Sequence, residues 1–350
     1  MRIGINARTF SVDEPGGAVQ ASIRLAKELI DHPDNEVVLF GSSSLSDEFD
    51  TEVCSTGFVD SQAVGLVWER TILPLLARKA DIDVLYCPNG NGPLHELDLP
   101  VVMCIHDVNA QKGMSNSVHQ VYRKLTVPVA ARACDTVVTV SKFSKNEICS
   151  EINVPQSKVE VIYNGIDEIY FGDERTAIDV PDKYLLFVGS LNPRKNISGI
   201  LEAYRCVQQD QNIDLAIIGP SNKDIFKSLD IGPIEGVRRF GFLDSLEVKH
   251  AYENAEALVF PSFYEGFGLP PLEAFACGTP VVASDCSALP ELLGERAIYV
   301  NPESPRSIAM GIKKILNGEF NYSEADLQQQ ATQYTWKSVA QRVLRVIDDL

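Results

Sequence analysis

The sequence predicts an α/β protein built from two tandem, doubly wound Rossmann-like lobes, with the functional site in the cleft between them. The chain has 350 residues, too many for one ordinary domain and enough for two lobes of about 150 to 200 residues. Short apolar runs alternate with helix-period stretches, and this alternation occurs twice along the chain. Because ligands of open α/β sheets bind beyond the carboxyl ends of the strands, we expect the site between the lobes.

The first lobe, residues 1–170, carries six predicted strands and three predicted helices. Short runs rich in Val, Ile and Leu and bounded by polar residues are typical of buried parallel strands. The strands are expected at Arg2–Asn6, Glu36–Phe40, Asp83–Cys87, Val101–His106, Thr136–Val140 and Val159–Tyr163. The helices are expected at Ala18–Ile30, Val64–Lys79 and Val118–Ala133.

A polar stretch without a clear period, Asp167–Lys183, predicts a linker, and the alternation restarts after it in residues 171–335. Strands are expected at Tyr184–Val188, Leu215–Ile218, Arg238–Phe242, Ala257–Phe260, Pro280–Ala283 and Ala297–Val300. Helices are expected at Ile197–Gln209, Leu246–Asn254, Pro271–Cys277 and Pro305–Leu316. A terminal helix, roughly Trp336–Asp349 within residues 336–350, closes the chain.

Composition and charge limit the classes of partner that the protein can bind. The formal net charge is -17, which disfavours nucleic-acid binding and repels an anionic membrane surface unless a local basic patch exists. We therefore expect no nucleic-acid partner and at most peripheral membrane association. The first residues form a predicted strand rather than a signal peptide, and no apolar run reaches the ~20 residues of a membrane span, so a cytoplasmic protein is expected. The eight scattered cysteines predict buried free thiols.

The string Pro261–Pro280 follows a predicted strand and opens a helix. Gly266 and Gly268 let the backbone approach a ligand, and free amides at the helix start favour an anion. Glu265 and Glu273 can each accept hydroxyls of a sugar or a ribose. The glycines alone fit an ordinary turn equally well, so the prediction depends on the whole string.

A second turn, Gly189–Asn196, lies between the first strand and first helix of the second lobe. Arg194 and Lys195 there can hold a diphosphate, although taken alone they fit a solvated cation pair. The Gly16–Gly17 turn of the first lobe could also approach phosphates, and an ordinary loop is equally compatible.

His106 and Asp107 follow an apolar strand, where a side chain would face the cleft; a structural histidine is the competing interpretation. Asp81-Ile82-Asp83 resembles a metal-binding Asp-x-Asp pair but precedes its strand, on the opposite side of the sheet from the cleft. The sequence has no Walker A loop, no Gly-x-Ser-x-Gly elbow and no His-Glu-x-x-His. We expect no metal and no cofactor.

Taken together, these motifs resemble retaining glycosyltransferases of the GT-B fold, of the glycosyltransferase family 4 type. The resemblance covers nearly the whole chain and is sharpest where Glu265 and Glu273 match the family's Glu-x7-Glu signature. Further matching segments are Gly16-Gly17, Trp68–Pro74, His106-Asp107, Val138–Ser144, Val161–Asp167 and Ser287–Glu291.

The resemblance implies a site for a nucleotide-diphosphate sugar. The implied catalytic residues are His106, Glu265, Arg194 and Lys195. The implied diphosphate ligands are Gly16, Gly17, Arg194, Lys195, Gly268 and Leu269, and the implied ribose ligand is Glu273. The first lobe would then take the acceptor, the second the donor, and the terminal helix would cross back to the first lobe.

The resemblance to bacterial mannosyltransferases of surface polysaccharides favours GDP-mannose as donor, with a UDP-hexose as alternative, and a glycan or lipid-linked glycan as acceptor. A nucleotide-sugar epimerase, a phosphorylase and a sugar-binding protein of the same architecture are further alternatives. A dinucleotide-dependent oxidoreductase is excluded because the first turn, Asn6–Phe10, lacks Gly-x-Gly-x-x-Gly.

Overall fold

The computed structural model describes residues 1–11, 16–56, 62–109, 111–112, 118–219 and 234–350. They form two compact units. The first unit comprises Met1–Gly165 together with Trp336–Leu350, and the second comprises Ile166–Thr335. The chain therefore passes between the units at Gly165–Ile166, five residues before the predicted end of the first lobe, and again at Thr335–Trp336.

In the described part of the first unit, seven parallel strands form a central sheet. Its strands are β1 (Arg2–Asn6), β2 (Glu36–Phe40), β3 (Glu52–Cys54), β4 (Val84–Cys87), β5 (Val101–Cys104), β6 (Thr136–Thr139) and β7 (Val159–Val161), in the spatial order β3-β2-β1-β4-β5-β6-β7. Ile3 of β1 sits opposite Val37 on one side and Val84 on the other. The apolar runs are continuous because both faces of the sheet are covered by helices.

Helices α1 (Gly17–Ile30) and α11 (Trp336–Asp348) contribute to one core of the first unit, and α2 (Gln62–Lys79), α3 (Val118–Ala133) and α4 (Lys142–Glu151) contribute to the other. The terminal helix thus packs beside α1, with Trp336 and Val343 buried. Trp68 of α2 is the largest fully buried side chain of the second core. The sheet is therefore enclosed by two separate apolar layers.

The second unit repeats the architecture, with six parallel strands among its described residues. They are β8 (Tyr184–Val188), β9 (Asp214–Ile218), β10 (Val237–Gly241), β11 (Ala257–Phe260), β12 (Val281–Ser284) and β13 (Ile298–Val300), in the order β10-β9-β8-β11-β12-β13. The helices in the described residues of this unit are α5 (Ile197–Gln208), α6 (Ser245–Glu253), α7 (Leu269–Ala276), α8 (Leu289–Leu293), α9 (Pro305–Leu316) and α10 (Glu324–Ala331).

The predicted pair of doubly wound Rossmann-like lobes is confirmed, and each of the twelve predicted strands overlaps an observed one. Strand β3 was not predicted because it is a three-residue edge strand whose side chains are only partly buried. Helices α4, α8 and α10 were not predicted either. Of these, α8 is only five residues long, and α4 is rich in Ser, Asn and Lys, so neither shows a clear apolar period.

The segment Asp167–Lys183 packs on the second unit, so the prediction of a linker there is wrong. Tyr170 is buried, and Lys249 of α6, 1% exposed, donates hydrogen bonds to the carbonyls of Gly172 and Glu174. Polarity alone suggested a linker because these contacts come from a helix about 75 residues further along the chain. Within the described part of the chain, no helix combines the length and apolar character needed to span a bilayer.

Candidate donor site

Strands β8 and β11 are neighbours at the centre of the second sheet, and the chain order reverses between them. From β8 the chain continues to β9 and β10 on one side, and from β11 to β12 and β13 on the other. The loops after β8 and β11 therefore leave the sheet in opposite directions and open a crevice at its carboxyl edge. Both sequence motifs of this unit lie in these two loops.

The two loops are joined by an ion-pair cluster of Arg194, Lys195 and Glu265. Lys195 Nζ lies 2.6 Å from Glu265 Oε1, and Arg194 Nη1 lies 3.1 Å from Glu265 Oε2. Arg194 Nη1 also donates to the Tyr264 carbonyl at 3.0 Å, and the Phe263 amide donates to the Arg194 carbonyl at 2.8 Å. The structure thus brings three of the predicted catalytic residues into direct contact.

Burial gives this cluster its electrostatic character. Lys195 is 7% exposed and Glu265 is 5% exposed, and Lys195 Nζ lies 4.5 Å from the centre of the Phe260 ring. Burial by itself raises the pKa of Glu265, but Lys195 and Arg194 outweigh it and bring the pKa below its usual value. Glu265 is therefore a carboxylate at neutral pH, and two cations facing one carboxylate leave a net positive charge.

Asn196 fixes the turn that carries the two cations. Its backbone is left-handed, with φ of 58°, and its side chain accepts from the Gly199 amide at 3.2 Å, which caps α5. Its Nδ2 donates to the carbonyls of Pro261 at 3.1 Å and Pro302 at 2.7 Å. One buried side chain thereby ties the Arg194–Lys195 turn to the loop after β11.

The start of α7 offers two backbone donors. Gly268 precedes the helix with φ of 134°, and a Cβ there would lie 2.6 Å from Leu289 Cδ2, so a larger residue is excluded. The helix begins at Leu269, which places Pro270 and Pro271 at its second and third positions and removes two of the usual amide donors. The remaining amides at the helix start are those of Gly268 and Leu269, the two residues predicted to face a phosphate.

Glu273 lies one turn inside α7, and its Oε2 accepts a hydrogen bond from the Tyr252 hydroxyl at 3.0 Å. Burial is the main reason that its pKa rises from 4.5 to about 7. The side chain is nevertheless partly exposed, so a ligand can reach it. Glu265 and Glu273 thus differ in kind: the first is held ionised by cations, whereas the second titrates near neutral pH.

His106 lies in the first unit, two residues beyond β5. Its Nε2 is 3.1 Å from the Pro88 carbonyl, which can only accept, so this nitrogen carries the proton and Nδ1 is left as the acceptor. Burial lowers the pKa of His106 below its usual value. The imidazole is therefore neutral at pH 7, and any contact with a ligand hydroxyl falls to Nδ1.

Gly16 and Gly17 open helix α1 in the same unit and are both exposed. A Cβ at either position would meet no atom of the described residues within 4 Å. The packing of the described residues therefore gives no steric reason for glycine at these two positions.

Two acidic features of the first unit have structural partners. Buried Glu69 accepts hydrogen bonds from Arg8 Nε at 2.8 Å and from Asn6 Nδ2 at 3.3 Å. These three residues form a cluster at the carboxyl end of β1 that was not predicted from the sequence.

Asp83, of the Asp-x-Asp pair, accepts a hydrogen bond from the Arg2 amide at 2.7 Å at the amino end of β4. In the described residues, no group of three or more His, Cys, Asp or Glu is placed to hold a metal.

Comparisons with known proteins cover almost the whole chain. A family model for glycosyltransferase family 4 matches residues 15–169, and one for glycosyl transferases group 1 matches residues 172–336. An uncharacterized glycosyltransferase of Methanocaldococcus jannaschii is 31% identical over 317 residues, which are 80% of each chain. The chain belongs to glycosyltransferase family 4. The predicted enzyme class, a retaining glycosyltransferase of this family, is confirmed.

Two further relatives of this glycosyltransferase are O-antigen chain mannosyltransferases. One, from Salmonella typhimurium, is 31% identical over 60% of this chain and 59% of its own length. The other, mannosyltransferase B of Escherichia coli, is 28% identical over 69% of this chain and 66% of its own length. Among solved structures, sucrose-phosphate synthase from Thermosynechococcus elongatus aligns with a TM-score of 0.77 at 16% identity, covering 100% of this chain and 98% of the other. Anabaena HepE in complex with UDP-glucose aligns with a TM-score of 0.75 at 19% sequence identity, and the alignment covers 100% of both chains. These structures show that the enzyme has the GT-B fold.

The predicted site residues of the glycosyltransferase divide between the two units. Arg194, Lys195, Glu265, Gly268, Leu269 and Glu273 lie in the second unit, and Gly16, Gly17 and His106 lie in the first. Asn196 and Tyr252 were not predicted as supporting residues of the site. An Asn before a helical stretch is a recognisable cap signal, whereas nothing in the sequence links Tyr252 to Glu273.

Proposed function

We propose that the enzyme transfers a hexose from a nucleotide-diphosphate sugar to a glycan or lipid-linked glycan during polysaccharide assembly. Mannose from GDP-mannose is the first candidate, because two of the relatives above are O-antigen mannosyltransferases. The observation that carries the proposal is the Arg194–Lys195–Glu265 cluster at the reversal point of the second sheet. Its net positive charge suits the diphosphate of a nucleotide sugar.

The cluster can bind a diphosphate without releasing Glu265. A guanidinium has five N–H donors, and in the described residues Arg194 uses only Nη1. Its Nε and Nη2 edge is therefore left for phosphate oxygens, and the Arg194 side chain is 27% exposed. Glu265, kept ionised by the same cations, retains lone pairs that can accept hydroxyls of the donor sugar.

Cleavage of the bond between sugar and phosphate leaves negative charge on the diphosphate and positive character on the sugar. Arg194 and Lys195 stabilise the departing diphosphate, and the amides of Gly268 and Leu269 add two donors at a helix N-terminus. Attack by the acceptor hydroxyl on the same face that the diphosphate leaves retains the configuration, and a departing phosphate oxygen takes the proton. This scheme uses the cations where other transferases use a divalent metal.

The remaining roles follow the family resemblance. Glu273 binds the ribose hydroxyls, for which its partly exposed carboxylate beside Tyr252 is suited. From the first unit, His106 contacts the donor sugar through Nδ1. The exposed Gly16–Gly17 turn of that unit contacts the phosphates.

The test is to incubate the enzyme in EDTA with GDP-mannose, UDP-glucose or UDP-galactose and mannose-containing oligosaccharide acceptors. The product's anomeric configuration is then determined by NMR. We expect transfer from GDP-mannose with retention. Transfer only from a UDP-hexose supports the alternative donor and contradicts the assignment of GDP-mannose. Donor consumption without a glycosylated product, in a panel that includes lipid-linked acceptors, favours an epimerase and contradicts the transferase scheme.

A further inference from the structure

The sheet of the first unit has a reversal point of its own, between β1 and β4. From β1 the chain continues to β2 and β3 on one side, and from β4 to β5, β6 and β7 on the other. The loops after β1 and β4 therefore open a crevice at the carboxyl edge of this sheet, as the loops after β8 and β11 do in the second unit. Such a crevice is a ligand site in open α/β sheets, and the side chains around it decide which ligand it suits.

A buried ion pair joins the two loops of this crevice. Glu69 of α2 is 2% exposed and accepts a hydrogen bond from Arg8 Nε, in the loop after β1, at 2.8 Å. Asn6 Nδ2 donates to Glu69 Oε1 at 3.3 Å and to the carbonyl of Asn91, in the loop after β4, at 3.1 Å. The Arg8 guanidinium lies against Gly65 of α2, where a Cβ would be 2.5 Å from Arg8 Nη1. The glycine therefore leaves room for Arg8 beside the helix.

Two further arginines lie beside this pair. The Arg70 guanidinium lies 4.3 Å from the centre of the Tyr122 ring, and Arg123 Nη1 donates to a backbone carbonyl of the loop after β4 at 3.2 Å. Burial raises the pKa of Tyr122, and the charges of Arg70, Glu69 and Arg8 also act on it. Burial lowers the pKa of Arg123, and the charge of Glu69 opposes this. These side chains are therefore close to one another, and we call them the β1–β4 cluster: Arg8, Glu69, Arg70, Tyr122 and Arg123.

The β1–β4 cluster has more hydrogen-bond donors than the protein uses. Arg8 donates to the described residues only through Nε, so the four N–H groups of its Nη1 and Nη2 have no acceptor among them. Arg70 Nε is buried and likewise has no acceptor in the described part of the chain. Three arginines are accompanied here by two carboxylates, Glu69 and Asp107, which leaves a charge of +1. Guanidinium donors without a protein acceptor are suited to the oxygens of a bound anion.

We propose that the β1–β4 cluster binds an anionic group of the glycosyl acceptor, a phosphate or a carboxylate carried on or next to the accepting sugar. The Nη1 and Nη2 groups of Arg8 and the Nε group of Arg70 donate to its oxygens, and Glu69 is a positioning residue that holds Arg8. The inference rests on the proposed function only in naming the ligand as the acceptor, since anion binding at this cluster does not depend on the donor.

The test is titration calorimetry with three mannose derivatives that share a butyl group: neutral butyl mannoside, butyl mannosiduronic acid, and mannose joined to butyl through a diphosphate. We expect at least one charged derivative to bind the wild type at least about tenfold more tightly than butyl mannoside, and the tighter of the two identifies phosphate or carboxylate as the group. Arg70→Gln should weaken its binding about 10- to 100-fold, as expected when a charge-assisted hydrogen bond is lost. Arg8→Met with Glu69→Gln should weaken it similarly, and this pair leaves no buried charge without a partner.

Arg78→Gln is the matched control, because Arg78 lies on the same helix but pairs with Asp98 at the surface. It should bind the charged derivatives like the wild type, and so should Arg194→Ala, which changes the donor cluster. Equal affinity for neutral and charged derivatives, no binding of either charged derivative, or an equal loss in Arg70→Gln and in either of these two variants overturns the proposal.

Binding of GDP and UDP to the same preparations tests the donor site separately. If neither nucleoside diphosphate binds while anion binding that depends on Arg70 persists, the proposed function fails and the anion site of the first unit stands. If a nucleoside diphosphate binds and the charged derivatives do not, the donor site stands and the anion site is refuted.

Discussion

Replacing Glu273 by Gln should stabilise the enzyme while it weakens donor binding. In the folded state the pKa of Glu273 rises from 4.5 to about 7, chiefly because the carboxyl is buried. The folded protein therefore binds this proton more tightly than the unfolded chain does, and stability is lost as the pH rises from 4.5 to 7. That change corresponds to at most about 3 kcal/mol, since the side chain is partly exposed. Gln removes the titration and can still accept from the Tyr252 hydroxyl.

Urea unfolding of both proteins at pH 5.5 and pH 8.5 measures this effect. The stability advantage of Glu273→Gln should be about 1 kcal/mol at pH 5.5 and about 3 kcal/mol at pH 8.5. Nucleoside diphosphate binding to the wild type should strengthen between pH 6 and pH 8, as the carboxylate forms, and Glu273→Gln should lose most of that dependence. An advantage that stays constant with pH, or a destabilised variant, would refute the reasoning about burial.

Three further substitutions test the scaffold of the site. Gly219→Ala should cost at least about 3 kcal/mol in urea unfolding or prevent folding, because φ is +149° and the new Cβ would lie 2.1 Å from the Gly189 carbonyl oxygen. Its control is Gly17→Ala, whose Cβ would meet no atom of the described residues within 4 Å and which should not destabilise the protein and should stabilise it by at most about 1 kcal/mol. Asn196→Ala should lower the free energy of unfolding by about 2 to 4 kcal/mol, because it removes the α5 cap and leaves the Pro261 and Pro302 carbonyls without their donor. Wild-type stability of this variant would contradict the role of Asn196. Lys249→Met should release the segment after Tyr170, seen as faster proteolysis at Arg175 and Lys183 than in the matched surface control Lys337→Met; equal cleavage rates would show that the segment is held by other contacts.

The fold could be predicted from the sequence because buried parallel strands leave a strong local signal. Runs such as Tyr184–Val188 are apolar throughout, and the observed strand has the same bounds. Strand β3 could not be found in this way, since a short edge strand with half-buried side chains resembles a loop. The segment 167–183 was misinterpreted for the converse reason: it is polar, yet a buried lysine of α6 binds its backbone.

The site was predictable in its residues but not in its contacts. The motifs identified Arg194, Lys195 and Glu265 as functional, but their ion pairs join positions 70 and 71 residues apart, which one sequence does not reveal. The near-neutral pKa of Glu273 likewise depends on burial beside Tyr252.

The contacts of Glu265 decide how the donor-diphosphate assignment is best tested. Removing Lys195 alone would leave a buried carboxylate with one partner fewer and endanger the fold. Arg194→Ala is the better probe, since its side chain is partly exposed, and the paired change Lys195→Met with Glu265→Gln removes the second cation together with its counter-charge.

The most direct measurement is calorimetric titration of GDP, UDP and ADP in EDTA into the wild type and these variants. We expect a nucleoside diphosphate, GDP first, to bind the wild type without metal. Loss of a charge-assisted hydrogen bond worth about 1.5 to 3 kcal/mol should weaken binding to Arg194→Ala about 10- to 100-fold. A preference for UDP would support the assignment of the diphosphate site but would change the assigned donor nucleotide. No binding without metal, or wild-type affinity in a folded Arg194→Ala variant, would contradict the assignment of this cluster to the donor diphosphate.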